Sequence, residues 1–460
     1  MTRLSVILCV GLALFTPSLQ VLAVANALTP TRITLKNGLT VLTIEQPQLP
    51  LMAARLLIRT GSTEDPVGKE GLTALVSMLL KKGAGSRDAT DIADRLDFCG
   101  AELAVDYSQE STVLSGSALS RDSETLLELM ADSVIRPAFA DDEIDREREN
   151  LLAAIAQTRE NADYLAGAFF NRFLYGTHPY SRPELGLTAS VARLTREDIL
   201  AFHQTYYVPN NAVLIIAADL PQAALMKTIK HLFQNWRRHS LPTRSFAAPP
   251  DVATRSLSII DKPDLSQTHV RIGTIGIPRH HPDYLPLMVA NTILGGGGFS
   301  SRLVDRIRVD RGLTYGIGSQ FTQRRDRGAF VVSTFTKTET TGELVEAVIE
   351  ELRRFRASGV SISEVQSARQ YLNGSFPMTV EGPRALVSQL ANMEQFGLPP
   401  DYLQTYQSRL QAVTPDVVNR VIHQYFTDKA LLCVLLGNAD QIVPQVEKLG
   451  PVRRQPFDLN

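Results

Sequence analysis

Residues 194–219 read L-T-R-E-D-I-L-A-F-H-Q-T-Y-Y-V-P-N-N-A-V-L-I-I-A-A-D, and residues 413–438 read V-T-P-D-V-V-N-R-V-I-H-Q-Y-F-T-D-K-A-L-L-C-V-L-L-G-N. The stretches correspond at a fixed offset of 219 residues: Leu194-Thr195 answers Val413-Thr414, Tyr206-Tyr207 answers Tyr425-Phe426, and Ala217-Ala218-Asp219 answers Leu436-Gly437-Asn438. Upstream, Pro47-Gln48-Leu49 matches Pro263-Asp264-Leu265 and Arg55 matches Arg271, 216 residues apart. An ordered series at a nearly constant offset marks an internal duplication, with loop insertions accounting for the drift. Between the copies, residues 237–256 carry Pro242, Pro249 and Pro250 and no apolar period, which reads as a linker. Two homologous domains are therefore expected, at 28–236 and 257–460.

Each half mixes the two elementary periods. Asn37-Gly38 is a turn signal, and residues 39–44 and 52–59 read as strands after it. Residues 72–80 are apolar nearly all round, the mark of a buried helix. Residues 88–98 form an amphipathic helix stopped by Gly100, and residues 110–118 alternate as a strand. Residues 142–157 have an acidic first turn and a stripe at Ile144, Leu151, Leu152 and Ile155, and residues 212–218 are a closing strand. The fold class is α+β: in each half an antiparallel-rich sheet with helices packed on one face.

The chain has 460 residues and a formal net charge of -1, ordinary for a globular protein, with nothing that calls for nucleic acid as a partner. Arg3 precedes an uncharged apolar run, and Ala23-Val24-Ala25 and Ala25-Asn26-Ala27 are small-residue cleavage patterns. Residues 1–27 read as a secretory signal peptide, so the mature chain is expected in the periplasm or outside the cell, without a membrane span. Of the cysteines beyond it, Cys433 sits in an apolar run and Cys99 ends a helix. Both read as buried free thiols.

Residues 294–315, L-G-G-G-G-F-S-S-R-L-V-D-R-I-R-V-D-R-G-L-T-Y, carry the candidate chemistry. Gly295, Gly296, Gly297 and Gly298 cannot hold a regular element and permit close approach of another backbone. Ser300 or Ser301 suits the N-cap of the helix that follows, and Gly312 its left-handed end. Arg308 then falls near the helix end and Tyr315 at the start of a strand. An arginine fork and a phenol facing one space can hold a peptide carbonyl or a developing oxyanion. The bland alternative is a surface arginine and a packed tyrosine.

Taken together, several segments resemble the pitrilysin/insulinase-like zinc peptidases, which include mitochondrial processing peptidase. Tyr175-Gly176-Thr177-His178-Pro179-Tyr180 is similar to the family's Y-G-x-H-P-Y, and Leu194–Asp198 and Tyr206–Asn211 to its L-T-x-E-D-L and Y-x-P-x-N. The glycine run through Leu303 resembles L-G-G-G-x-S-S-R-L, and Arg308, Gly312-Leu313 and Tyr315 resemble R-x-x-x-G-L-x-Y. Active members bind zinc through H-x-x-E-H on a first-half helix, with a further glutamate downstream. Here Ala74, Ser77 and Met78 occupy those positions, and none supplies a zinc nitrogen or a carboxylate base. Glu147 corresponds to the distal glutamate and reads as a solvated helix charge. No two of the eight histidines have helical i, i+4 spacing.

The resemblance implies one subunit of a split peptidase. This chain binds no zinc itself and supplies Arg308 and Tyr315 as catalytic groups and Gly295–Gly298 for substrate. A zinc-bearing homologue completes a heterodimer that closes on a peptide. The alternative is a non-catalytic scaffold or peptide-binding protein of the same fold.

Overall fold

The structure is a computed structural model and describes residues 29–457 except Ser245. The expected signal peptide lies outside the described residues. Among those described, no helix is long and apolar enough to cross a membrane.

The run Ala212–Ala218 contains no polar residue, and every one of its residues is buried. A strand so uniformly apolar needs cover on both faces. It is the sixth of twelve strands: β1 (Thr31–Thr34), β2 (Thr40–Glu45), β3 (Leu51–Ile58), β4 (Glu102–Tyr107), β5 (Thr112–Leu119), β6 (Ala212–Ala218), β7 (Ser256–Asp261), β8 (Gln267–Ile275), β9 (Ile317–Phe321), β10 (Ala329–Lys337), β11 (Leu432–Gly437) and β12 (Val452–Pro456). They form two six-stranded sheets, ordered β1-β2-β6-β3-β5-β4 and β12-β7-β11-β8-β10-β9. The last five strands of each order correspond one to one, as the sequence repeat demands. In both sheets the first of these five strands pairs with the second in parallel, β2 with β6 and β7 with β11, and the other pairs among the five are antiparallel. The α+β class and the two-sheet plan are those expected. Between Phe233 and Ser256 the described residues form no helix or strand.

Side-chain alternation sorts each sheet into two cores. Along β6, Ala212, Leu214, Ile216 and Ala218 face the first half's own helices, among them Leu72–Leu79 and Ser123–Ile135. Val213, Ile215 and Ala217 face the other way and pack with the second half. The element that covers them there is Gly382–Phe396, which lies on β3 and β6 and buries Leu386, Val387, Leu390 and Ala391.

The exchange is reciprocal. Helix Ala162–Tyr175 of the first half lies on β8 and β11 of the second, burying Leu165, Phe169, Phe170 and Leu174 against Ile275, Val434 and Leu436. Gly273 in β8 makes room for it: a Cβ there would stand 2.9 Å from Phe170 Cζ and 2.0 Å from the Phe330 carbonyl oxygen. The two exchanged helices start 220 residues apart, on the same offset as the repeat. Each sheet thus carries its own helices on one face, as expected, and the other half's helix on the second.

Cys99 and Cys433 are both free. Cys433 is fully buried in β11, where burial pushes its thiol up to about 12. Cys99 is only half-buried, because it caps Ala89–Phe98 at its exposed end, which corrects the expectation of two buried thiols.

Candidate functional site

Helix Leu72–Leu79 carries the positions, Ala74, Ser77 and Met78, that the sequence resemblance sets against H-x-x-E-H. Its start is locked by the loop before it. The Asp65 carboxylate accepts from Gly71 N at 2.9 Å, Thr73 N at 2.9 Å and Thr73 Oγ1 at 2.6 Å. Burial pushes the Asp65 carboxyl up to about 7 against the pull of those bonds. Gly71 has φ +98°, and a Cβ there would stand 2.5 Å from Val191 Cγ2. The helix packs against Asp141–Thr158, Arg196–Tyr206 and β4, with Ala74 and Ser77 fully buried.

Glu147 is not the solvated charge its sequence position suggested. It is buried on Asp141–Thr158, with Lys82 Nζ 2.9 Å from its Oε1 and Asn150 Nδ2 donating at 3.3 Å. The carboxylate that could have served a metal is neutralised by an ammonium. A methyl, a hydroxyl and a thioether at positions 74, 77 and 78 complete a donor set that does not fit zinc. Among the described residues, no group of three or more His, Cys, Asp or Glu is placed to hold a metal.

In the second half the glycine run closes on its own chain. Thr292–Gly296 is a wide helical turn lying against β9. A Cβ on Gly295 would stand 2.4 Å from Ser319 Oγ, one on Gly296 2.6 Å from Asn291 Nδ2, and one on Gly297 2.5 Å from the Thr292 carbonyl oxygen. Asn291 Nδ2 donates to the Ser319 carbonyl at 2.9 Å and Ser319 Oγ to Asn291 Oδ1 at 2.8 Å, so this turn covers the outer side of β9 at Ser319. Gly298 has φ +63° and open space around it.

Ser301 stands at the N-cap: its carbonyl accepts from Asp305 N at 3.0 Å, while its hydroxyl donates back to the Gly298 carbonyl at 2.7 Å. Arg302 anchors the turn, donating to Glu364 at 2.7 Å and to the Gly359 carbonyl at 2.8 Å. The Val304–Val309 segment is over-wide rather than a regular α-helix, and Gly312 takes the expected left-handed φ of +63°.

Tyr315 ends on the surface, and Arg308 is half-buried. The Arg308 guanidinium lies 4.8 Å from the centre of the Phe299 ring and has no ion-pair partner among the described residues. Phe299 is 78% exposed and Tyr315 83%, and the Tyr315 hydroxyl has no hydrogen-bond partner among the described residues. The packed tyrosine of the bland alternative is thereby set aside. Phe299 was missed in the sequence; its place inside the glycine–serine run, one residue before Ser300, was the available signal.

Two matching six-stranded sheets joined by an exchange of helices define the fold class of this chain. The insulinase family model, peptidase family M16, matches residues 40–185, and the model described as the peptidase M16 inactive domain matches residues 193–372. The chain belongs to this family. An uncharacterized zinc protease of Mycobacterium leprae is 28% identical over 410 residues, covering 88% of this chain and 91% of its own. One from Bacillus subtilis is 23% identical over 404 residues, covering 88% and 97%. The crystal structure of a peptidase M16 inactive domain from Pseudomonas fluorescens superposes with a TM-score of 0.83 at 27% identity, covering 94% of this chain and all of that one.

Proposed function

We propose that this chain is the non-zinc subunit of a periplasmic or secreted two-subunit peptidase of family M16. The observation that carries the reading is that the Tyr315 phenol and the Phe299 ring face solvent and that Arg308, half-buried against that ring, has like Tyr315 no ionic or hydrogen-bond partner among the described residues. The chain's own metal helix, meanwhile, offers no ligand. In this reading a zinc-bearing homologue holds the peptide. Arg308 orients its carbonyl, and the Tyr315 hydroxyl donates to the oxygen that becomes negative. Of the glycine run, Gly295, Gly296 and Gly297 are closed against their own chain, and Gly298, with open space around it, is the position left to admit an extended peptide. Zinc is supplied by the partner alone.

The test is hydrolysis of quenched peptides by the mature chain alone, by a zinc-motif homologue encoded beside it, and by the mixture, with bound zinc quantified in each. Activity is expected only in the mixture. Tyr315→Phe should lower its turnover roughly 10²–10³-fold and leave assembly intact. Full activity of the Tyr315→Phe mixture removes the catalytic role. A mixture that assembles without hydrolysing anything supports the scaffold instead.

A further inference from the structure

Where the halves meet beneath the linker lies a cavity of about 630 Å³. Its most telling lining group comes from the second half. The hairpin joining β9 to β10 reaches into the first half, and its tip is pinned there: Arg325 N donates to both oxygens of Glu110, at 3.0 and 3.1 Å. The Tyr180 hydroxyl donates to the same carboxylate and accepts from Asp326 N at 3.3 Å. With its backbone held, Arg325 lines the cavity, and among the described residues its guanidinium has neither ion-pair nor hydrogen-bond partner.

His178 lines the same cavity. Its side chain is only 2% exposed. Nδ1 accepts from Tyr180 N at 3.1 Å, which leaves the proton of the neutral ring on Nε2. That buried donor has no hydrogen-bond partner. Asp326 Oδ2 stands 3.8 Å away, beyond hydrogen-bond reach. A buried donor without an acceptor is costly and calls for one.

The other charged side chains around the cavity each have a partner, although Arg182 has only a backbone carbonyl and no carboxylate. Arg244 is 2.7 Å from Glu64 Oε1 and donates to the Arg59 carbonyl at 2.6 Å. Arg59 pairs with Glu394 at 3.0 Å, and Arg182 donates to the Asp65 carbonyl at 2.8 Å. The Asp65 carboxylate is taken by Gly71 and Thr73. What remains are two donors, one cationic, and no acceptor for either. Phe246 from the linker closes one wall, its ring 5.9 Å from that of His178.

We propose that the cavity is a binding site for an oxyanion, a carboxylate or a phosphate group, held by the Arg325 guanidinium and the His178 Nε2–H. Burial, and next the like charge of Arg244, hold the Arg325 guanidinium below its usual range against the opposite pull of the Glu110 and Glu64 carboxylates; a bound anion adds to that pull. The site is independent of any zinc-bearing partner, since both donors belong to this chain.

Calorimetric titration of the full mature chain tests it, with three probes: inorganic phosphate, N-acetylated tetra-alanine with a free C-terminal carboxylate, and the same peptide as its C-terminal amide. Phosphate or the peptide acid is expected to bind, and the amide not. Binding of phosphate alone identifies a free anion as the ligand; binding of the peptide acid identifies a chain terminus. Arg325→Gln should weaken that binding roughly tenfold or more at unchanged melting temperature, with Arg325→Lys in between because it keeps charge but loses the fork. The proposal is overturned if neither anionic probe binds, if the amide binds as well as the acid, or if Arg325→Gln folds and binds like the wild type.

Discussion

His203 is buried between Phe139 and Tyr207, ring centres 5.3 and 4.9 Å away, with Nε2 2.9 Å from the Val134 carbonyl. Burial pulls its pKa from 6.5 down to about 4. Between those values the unfolded chain binds a proton that the folded chain refuses. Stability is therefore complete above pH 6.5 and falls as the pH drops toward 4, by about 3 kcal/mol from this ring alone. His203→Gln should flatten the decline, as melting temperatures at pH 7.5, 6 and 5 will show. Lys82 and Glu147 give a second prediction. Lys82→Met leaves a buried carboxylate with only Asn150 beside it. Because the lysine is about one-third exposed, the cost should be about 1–2 kcal/mol rather than that of a fully buried pair. Lys82→Met/Glu147→Gln should recover most of it in urea unfolding. A neutral single variant would show that Glu147 is not held as a charge. None of this was legible residue by residue. The sequence shows that Ala74, Ser77 and Met78 cannot bind metal, but not that Lys82, in the turn after Leu72–Leu79, reaches Glu147 on Asp141–Thr158.

Elements were legible where the apolar period was strong. The helix expected over residues 72–80 is Leu72–Leu79, and the strand over 212–218 is found with those bounds. The glycine run was harder, because glycine's freedom is equally consistent with open space and with close packing. Here the four positions divide. Gly295→Ala drives a Cβ into Ser319, whose hydroxyl and carbonyl are both fixed by Asn291, and should cost about 2 kcal/mol or more. Gly298→Ala meets nothing and bears only the strain of φ +63°, about 1 kcal/mol. Thermal unfolding ranks the two, and hydrogen exchange in β9 should rise for Gly295→Ala only. Equal effects would mean that the turn does not depend on its contact with the edge strand. The same turn explains the exposure of Phe299: the left-handed Gly298 immediately precedes it, and Ser301 ties back to the Gly298 carbonyl.

At the scale of the molecule, the repeat made the duplication and the two sheets legible, but it could not reveal which half's helix covers which sheet. A clue was present: Ala212–Ala218 and Leu432–Gly437 are apolar on both faces, more than one layer of helices explains. Phe170→Ala, a change in the first half, should cost about 3–5 kcal/mol and raise hydrogen exchange in β8 and β11 of the second. Loss of protection confined to residues before 236 would contradict the exchange. The reciprocal packing has one more consequence. Each copy of the duplicated unit is the other's scaffold, so drift in an exchanged helix is felt at once across the molecule, and neither copy diverges alone. Helix Leu72–Leu79 stands outside that bargain, its contacts confined to the first half's own core. Substitutions on it answer only to that core, so this helix is free to change while the exchanged helices hold the architecture.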